Sequence, residues 1–531
     1  MTHRPTALLG IDAGTTAVKT SVLAADGREL SVARAPLSVD RPCGDHAEQS
    51  MHGLWRTVAG TVRTALESAG DVEPAAVGVT GQGDGAWLLD EEYAPVGPAV
   101  LWLDGRAAAR VTEWERDGRA DAVRRATASS LFPGALPVLL EELDCRRPEL
   151  TARARHQANC KDWVRLQLTG VLETDASEAS RTYLDVRRGG YSTELIEALG
   201  HQRFAGLLPP IAPAGAHRPL LPEPARALGL PAGIPVVTGL VDTAAAGVGL
   251  GVLDHGRSYA VVGTTAFLGT VRAAAADLRT EVGITIALGD RGSVLECLCP
   301  MTGTPNLDWV RTVLGREASG WDEIEAAARE VPAGAGGVLY LPYAAEAGER
   351  APFSDVHASA SWLGLSTRTT AAQLLRAVYE GVAFSLRECQ EALGVEGRIR
   401  LCGGAATSGL LCQILADVTS CTVERAQATE LGARGVAALA HTAASPGLDL
   451  RAAAENLLGE VDTFSPSPRT AALYDAQFRT FTDVRDAIRP HWPQLRNLRR
   501  DPGEHPGDRP GDQPDGTGTG TGPDNEQELP R

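Results

Sequence analysis

One short pattern occurs twice, about half the chain apart, and it limits the possible folds more than any other stretch. Leu8-Leu9-Gly10-Ile11-Asp12 is an apolar run that meets Ala13-Gly14-Thr15-Thr16 and re-enters an extended stretch from Ala17 to Leu23. Ser258 to Val262 likewise meets Gly263-Thr264-Thr265 and continues from Ala266 to Val271. Each copy reads as a β-hairpin whose tight turn offers backbone N–H groups and threonine hydroxyls to an anion. Taken singly, such a turn serves chain reversal as readily as phosphate binding, because short Gly/Thr motifs arise by chance. Two copies in one chain favour duplicated domains that face a shared cleft. Asp12, at the end of the first strand, is placed to hold a hydrated Mg²⁺, since hard cations take carboxylate and phosphate oxygens together.

A chain of 531 residues exceeds the length at which one core stops growing, so two large domains are expected. With 43% hydrophobic and 22% charged residues it can bury ordinary globular cores. A net charge of -17 argues against nucleic acid or an anionic membrane as partner, because either would need a basic face. The opening Met-Thr-His-Arg-Pro-Thr runs straight into the first strand without an apolar signal region, and no run approaches the ~18 apolar residues of a membrane span. A cytoplasmic protein is expected. Nine scattered cysteines, with only Cys297 and Cys299 close together, read as reduced thiols and give neither zinc nor disulfides. Lys19 and Lys161 are the only lysines, and both fall inside motifs.

Along the chain, Leu54, Val58, Val62 and Leu66 predict a helix from Gly53 to Ser68, followed by a strand from Ala75 to Thr80. The loop Gln82-Gly83-Asp84-Gly85 leads to a hairpin around Trp87 to Asp90, and a short buried strand ends at Trp102-Leu103-Asp104. On residue type alone Trp102 reads as core and Asp104 as a helix cap. Lys161 to Gly170 reads as one amphipathic helix stopped by glycine, and Thr174 to Ser180 as a loop of small residues. Ile234 to Asp242 reads as a strand ending in an acid, with a small-residue helix after it that permits close approach. A long helix is expected from Thr370 to Ala392, where the glycine at 381 points to tight packing or a ligand. Ile399 to Cys402 is a strand whose turn, Gly403-Gly404-Ala405, suits a nucleotide near a helix start. Residues 499–531 lack apolar periodicity and are expected to be a disordered low-complexity tail.

In this order the motifs resemble the FGGY carbohydrate kinases, the family of xylulokinase, glycerol kinase, ribulokinase and erythritol kinase. The resemblance spans about residues 7 to 445 and rests on the ordered set, which also includes Trp102-x-Asp104-x-Arg106, Gly239-x-x-Asp242 and Gly348-Glu349-Arg350-x-Pro352. It implies an α/β fold of the ASKHA superfamily, with two actin-like (ribonuclease H-like) domains and an interdomain cleft for ATP and sugar. The substrate-side domain would cover 6–250 and the nucleotide-side domain 251–490. The implied activity is ATP-dependent transfer of the γ-phosphoryl group to a hydroxyl of a small sugar or polyol, and a homodimer is an arrangement left open.

By the same resemblance Asp242 is the catalytic base, and Gln82, Asp84, Trp102, Asp104 and Asp242 bind the substrate. Gly14, Thr15, Thr16, Lys19, Gly263, Thr264, Thr265, Asn306, Gly403, Gly404 and Ala405 bind ATP, with Asp12 on the metal. Two departures stand out: Gly-Gly-Ala-Ala at 403–406 in place of Gly-Gly-Gly-Ala, and His357-Ala358-Ser359-Ala360-Ser361 in place of Pro-x-Ala-Arg-Gly. Where xylulokinases carry Gln-Met-His-Gly and glycerol kinases Gln-Arg-Glu-Thr, this chain has Gln-Gly-Asp-Gly. A carboxylate there accepts from hydroxyls and donates nothing to a keto oxygen, which favours an alditol such as erythritol over a ketose. A xylulokinase-type pentulose kinase, a catalytically silent sensor of sugar and nucleotide, and an actin-like ATPase remain as alternatives.

Overall fold

The computed structural model describes residues 4–289 and 292–498. The expected tail at 499–531 lies outside the described residues. The first sheet is built from β1 (Thr6–Ala13), β2 (Ala17–Ala24), β3 (Glu29–Pro36), β4 (Glu73–Gly81), β5 (His217–Pro219) and β6 (Pro235–Val237), in the order β5-β6-β4-β1-β2-β3. The second contains β7 (Ser258–Val262), β8 (Ala266–Arg272), β9 (Ile284–Ala287), β10 (Val294–Leu298), β11 (Arg398–Cys402), β12 (Thr422–Ala426) and β13 (Val461–Phe464), ordered β9-β10-β8-β7-β11-β12-β13.

The repeat seen in the sequence is a repeat of topology. At the centre of each sheet lies an antiparallel hairpin, β1–β2 or β7–β8, with a further antiparallel strand outside it, β3 or β10. On the other side of each hairpin two strands run parallel to its first strand, β4 and β6 in one sheet, β11 and β12 in the other. The chain thus folds into two ribonuclease H-like layers, each presenting its Gly-Thr-Thr turn at the same end of the sheet.

Helices cover the sheets. α1 (Met51–Ala69) begins where Ser50 accepts from Gly53 N–H and buries Leu54, Val58 and Val62, close to the expected span. α2 (Cys160–Thr169) ends at a left-handed Gly170, as predicted, but nearly every residue in it is buried, so the amphipathic reading fails. Its charged residues are paired internally and face no solvent. The expected loop at 174–180 holds a short helix, α3 (Ala176–Ala179), capped by Asp175. Asp242 does not end a strand: β6 stops at Val237, and Asp242 is the first residue of α4 (Asp242–Gly249).

In the second half come α5 (Pro305–Val313), α6 (Ala371–Leu393), α7 (Gly409–Thr419) and α8 (Leu431–Ala444). A reciprocal Thr370–Gln373 capping box starts α6. Its internal Gly381 exists for packing, since a Cβ there would stand 2.6 Å from Tyr340 O. The first core gathers β1, β4, α1 and α2, and the second gathers β7, β11, α6 and α7. A third cluster, including Leu8, Val248, Tyr259, Val436 and Leu439, joins the halves.

Its centre is α8, which comes late in the chain yet packs on the first sheet. The backbone contact is direct: a Cβ on Gly10 of β1 would lie 1.9 Å from Ala433 O, and one on Gly78 of β4 2.1 Å from Val436 O. α8 also crosses α4 through paired glycines, Gly249 against Leu431 O and Gly435 against Ala245 O. The strand carrying Asp12 and the helix carrying Asp242 therefore rest on one element.

Candidate active site

The register of the first hairpin places Asp12 opposite Lys19 and beside Thr80 of β4. Lys19 Nζ lies 2.8 Å from Glu430 Oε2 and 3.9 Å from Asp12 Oδ2. The ammonium is thus engaged with carboxylates, and Lys19 balances charge around Asp12. Burial pushes the Asp12 carboxyl up to about 6, Asp242 and Glu430 add to the rise, and Lys19 opposes it. Such a strained carboxylate fits a divalent cation, whose charge would relieve it. Among the described residues no group of His, Cys, Asp and Glu would hold a metal unaided. Mg²⁺ delivered with phosphate needs only one or two carboxylates, so Asp12 suffices as the protein's share.

Beyond Asp12 the turn Gly14-Thr15-Thr16 is tied into a network. Thr15 Oγ1 donates to Gln82 Oε1 at 3.1 Å and accepts from Trp102 Nε1 at 2.9 Å. Gln82 Nε2 donates to Gln49 Oε1 at 3.1 Å, and Gln49 Nε2 donates to Thr15 O at 3.1 Å. Gln82 is buried, and each end of its amide makes one bond within the protein, so it holds Thr15 and the loop in place. Trp102 is 41% exposed and not core, so its indole face is open beside the turn while its N–H is fixed. Asp104 is engaged more completely. Its carboxylate is enclosed, accepting from Ala47 N–H at 2.6 Å and from Arg106 at 2.8 and 2.9 Å, so it braces the segment and has no capacity left for a substrate.

Asp242 sits half-buried at the N-terminus of α4, where Thr243 N–H (2.6 Å) and Thr243 Oγ1 (3.0 Å) donate to its Oδ1. Burial raises its carboxyl above the usual value, the Thr243 bonds pull it back, and Asp84 adds to the rise. Asp84 holds a left-handed backbone (φ 60) between two glycines. Arg181 Nε donates to its Oδ2 at 3.2 Å, while Oδ1 is buried without a protein partner. Asp84, Arg181 and Asp242 thus converge between Asp12 and α3.

The second hairpin turn is braced from within its own half of the chain. Gly263 O accepts from Thr304 N–H at 2.7 Å, and the backbone of Gly303 lies so close that a Cβ would be 2.4 Å from Gly263 O. Glu349 supports this segment by accepting from Met301 N–H at 2.6 Å and from Thr302 Oγ1 at 3.1 Å. In the departing loop Asp355 accepts from His357 N–H at 2.9 Å and pairs with Arg489 at 3.0 Å. Thr264 is exposed and Thr265 half-buried, as Thr16 and Thr15 are in the first turn.

Gly403 follows β11 directly, at φ 92, and Gly404 has open space where a Cβ would project. Ala405 turns its methyl into the core, leaving only backbone at the surface. Asn306 is buried, donates to Gly303 O at 3.2 Å and accepts from Tyr340 Oη at 2.8 Å, so it shapes the turn from beneath.

Two residues of this site escaped the sequence reading, Glu178 and Arg181. Glu178 lies inside the stretch read as a small-residue loop and Arg181 directly follows it, and the only signal was one glutamate standing alone in Ala176-Ser177-Glu178-Ala179-Ser180. Lys161 lies deeper, with Nζ 2.6 Å from Asp162 Oδ1 and 2.9 Å from Asp175 Oδ1. Burial alone would push its ammonium down; the two carboxylates hold it above its usual value.

Family models match both halves: the FGGY family of carbohydrate kinases, N-terminal domain, over residues 7–249, and its C-terminal domain over 258–444. An erythritol kinase of Brucella abortus is 35% identical, over 92% of this chain and 97% of its own length. A xylulose kinase of Escherichia coli is 30% identical, over 91% of this chain and 99% of its own. Among solved structures, a xylulose kinase from Lactobacillus acidophilus superposes with a TM-score of 0.84 at 22% identity, covering 92% of this chain and 100% of that one. A glycerol kinase from Plasmodium falciparum with ADP reaches 0.81 at 19% identity, covering 91% and 98%. No helix among the described residues is long and apolar enough to cross a membrane.

Proposed function

The chain belongs to the FGGY family of carbohydrate kinases, phosphotransferases that use ATP and act on an alcohol group, and from that premise we propose that its acceptor is a short neutral alditol such as erythritol. The observation that carries this reading is Asp84: a carboxylate bridged to Arg181, with Oδ1 buried and unpartnered, accepts hydrogen bonds from hydroxyls and offers none to a keto oxygen. The relative named erythritol kinase supports it.

In the proposed reaction Asp242 takes the proton of the acceptor hydroxyl as that oxygen bonds to the γ-phosphorus. The bond from γ-phosphorus to the β,γ-bridging oxygen breaks, ADP departs with the electron pair, and the proton passes from Asp242 to solvent. Thr243 keeps Asp242 oriented through Oδ1. The backbone N–H groups and threonines of the two turns, Gly14–Thr16 and Gly263–Thr265, take the phosphates, and Gly403 and Gly404 leave room for the nucleoside. Mg²⁺ held with Asp12 would neutralise phosphate charge. Trp102 covers the acceptor beside Thr15 and excludes water, which competes as acceptor. We take 6–250 and 251–490 as the two lobes, with α8 shared between them, and place the enzyme in the cytoplasm, where ATP is supplied.

ADP release measured across erythritol, xylitol, glycerol, D-xylulose, L-xylulose and D-ribulose tests the assignment. An alditol should give a kcat/KM at least about tenfold above every ketose, since one buried polar mismatch costs that much or more. A ketose at the head of the series would replace the alditol reading with a pentulose kinase.

A further inference from the structure

α3 carries a carboxylate that the proposed reaction does not use. Glu178 is fully buried, and neither Oε1 nor Oε2 has a hydrogen-bond partner in the protein. Its position is tied to the site from two directions. Oε2 lies 3.4 Å from where a Cβ on Gly83 would stand, so the carboxylate rests against the backbone of the Gln82–Gly85 loop, one residue from Asp84. The preceding Ser177 accepts through Oγ from Val241 N–H at 2.9 Å, one residue from Asp242. Gly83 meets Val241 as well, since a Cβ there would be 2.6 Å from Val241 Cγ2. The Asp84 loop, the residue before Asp242 and α3 therefore meet at one point, where Asp84 Oδ1 and both Glu178 oxygens are acceptors without donors.

We propose that Glu178 is a second acceptor-recognition residue, which with Asp84 takes hydrogen bonds from neighbouring hydroxyls of an uncharged polyol. A buried carboxylate without donors is costly, and that cost is retained where a ligand supplies the donors. The surrounding charges do not cancel it. Lys161 and Arg181 stand against Asp84, Asp162, Asp175 and Glu178, so carboxyl groups outnumber cations at this point. Polyol hydroxyls donate without adding charge, whereas a sugar acid would bring a further anion into this excess. Burial holds the Glu178 carboxyl well above the usual value, with Asp162, Asp175 and Asp84 adding to the rise and Lys161 opposing it. The inference rests on the alditol-kinase reading of the same site and extends its recognition to a residue outside the Gln82–Gly85 loop.

The test is Glu178→Gln in the full chain, with Glu178→Asp as a second variant, assayed with erythritol, xylitol and glycerol. Glu178→Gln should raise the KM for erythritol at least about tenfold, with kcat and the KM for ATP changed less than about threefold. Glu178→Asp, which keeps the charge but falls short, should lie between. The unfolding midpoint of ligand-free Glu178→Gln should equal or exceed that of the parent, because a buried acid group without partners has been removed, while the rise in midpoint on adding erythritol without ATP should shrink. A lower ligand-free midpoint with kcat and both KM values altered together would make Glu178 a packing residue and overturn the proposal. So would unchanged constants and an unchanged erythritol-induced shift. A parent enzyme that phosphorylates none of the polyols would defeat the underlying function, which separates the two failures.

Discussion

Asp242→Asn is expected to lower kcat by about 10²–10⁴-fold while ATP still binds within about twofold of the parent affinity. Asparagine keeps the size of the side chain and can still meet Thr243, but it has no basic oxygen for the acceptor proton. The turns Gly263–Thr265 and Gly403–Gly404, proposed above to take the nucleotide, lie on the other sheet and do not depend on it. The fold should not suffer: burial raises the Asp242 carboxyl, so the ionised form costs stability, and that cost grows as pH rises from its ordinary 3.8 through the raised value. The unfolding midpoint of Asp242→Asn at neutral pH should therefore match or exceed that of the parent. For the parent, kcat/KM should fall on the acid side through a pH above 3.8, with Asp84 pushing that limb up and the Thr243 bonds and Lys19 pulling it down. Isothermal titration with ATP, beside ADP release, separates lost chemistry from lost binding. Full activity in the variant would remove Asp242 from the role of base.

The second large effect is structural. Gly435→Val should destabilise the protein by about 3 kcal/mol or more, at or beyond the upper end of ordinary overpacking. A Cβ at 435 would stand 1.9 Å from Ala245 O and 2.9 Å from Gly249 N, both backbone atoms that no rotamer change can move. Relief requires α4 and α8 to separate, and those helices hold Asp242 and the floor beneath Asp12. Activity should thus fall together with the unfolding midpoint, measured by thermal denaturation. Gly60→Ala is the contrasting control, since Gly60 lies inside α1 with open space at its Cβ position, and it should stabilise by about 0.5–1 kcal/mol. A Gly435→Val enzyme with the parent's midpoint would show that the helix crossing does not set the fold.

The paired hairpins were legible because Gly-Thr-Thr between two apolar runs is a local code, and local codes survive without tertiary context. The α6 helix was legible for the same reason, through its apolar period. What periodicity did not carry was the pairing of polar groups. Asp104 reads on residue type as a helix cap and by resemblance as a substrate ligand, while in the fold Arg106 two residues on and Ala47 far earlier enclose it. Gln82 and Asn306 have the chemistry of binding residues, and their partners, Gln49 and Tyr340, come from strands distant in the chain. Asp242 was identified with the wrong local element, because the small residues after it carry too little apolar pattern to show that a helix starts at the acid itself. α2 misled in the opposite sense: its Lys161, Asp162 and Arg165 look like a solvated face, but Asp175 and Glu173 are folded over them. Glu178 could not be assigned until α3 was seen to touch both the Asp84 loop and Val241.

The most direct measurement is to incubate the parent enzyme with Mg²⁺, ATP and erythritol and to quantify ADP and phosphorylated polyol together by mass spectrometry. The expected result is equal amounts of ADP and erythritol monophosphate, with little ADP formed when the polyol is omitted and neither product formed by Asp242→Asn. ADP released at the same rate with and without acceptor, and no phosphorylated product from any sugar or polyol of the series, would contradict it.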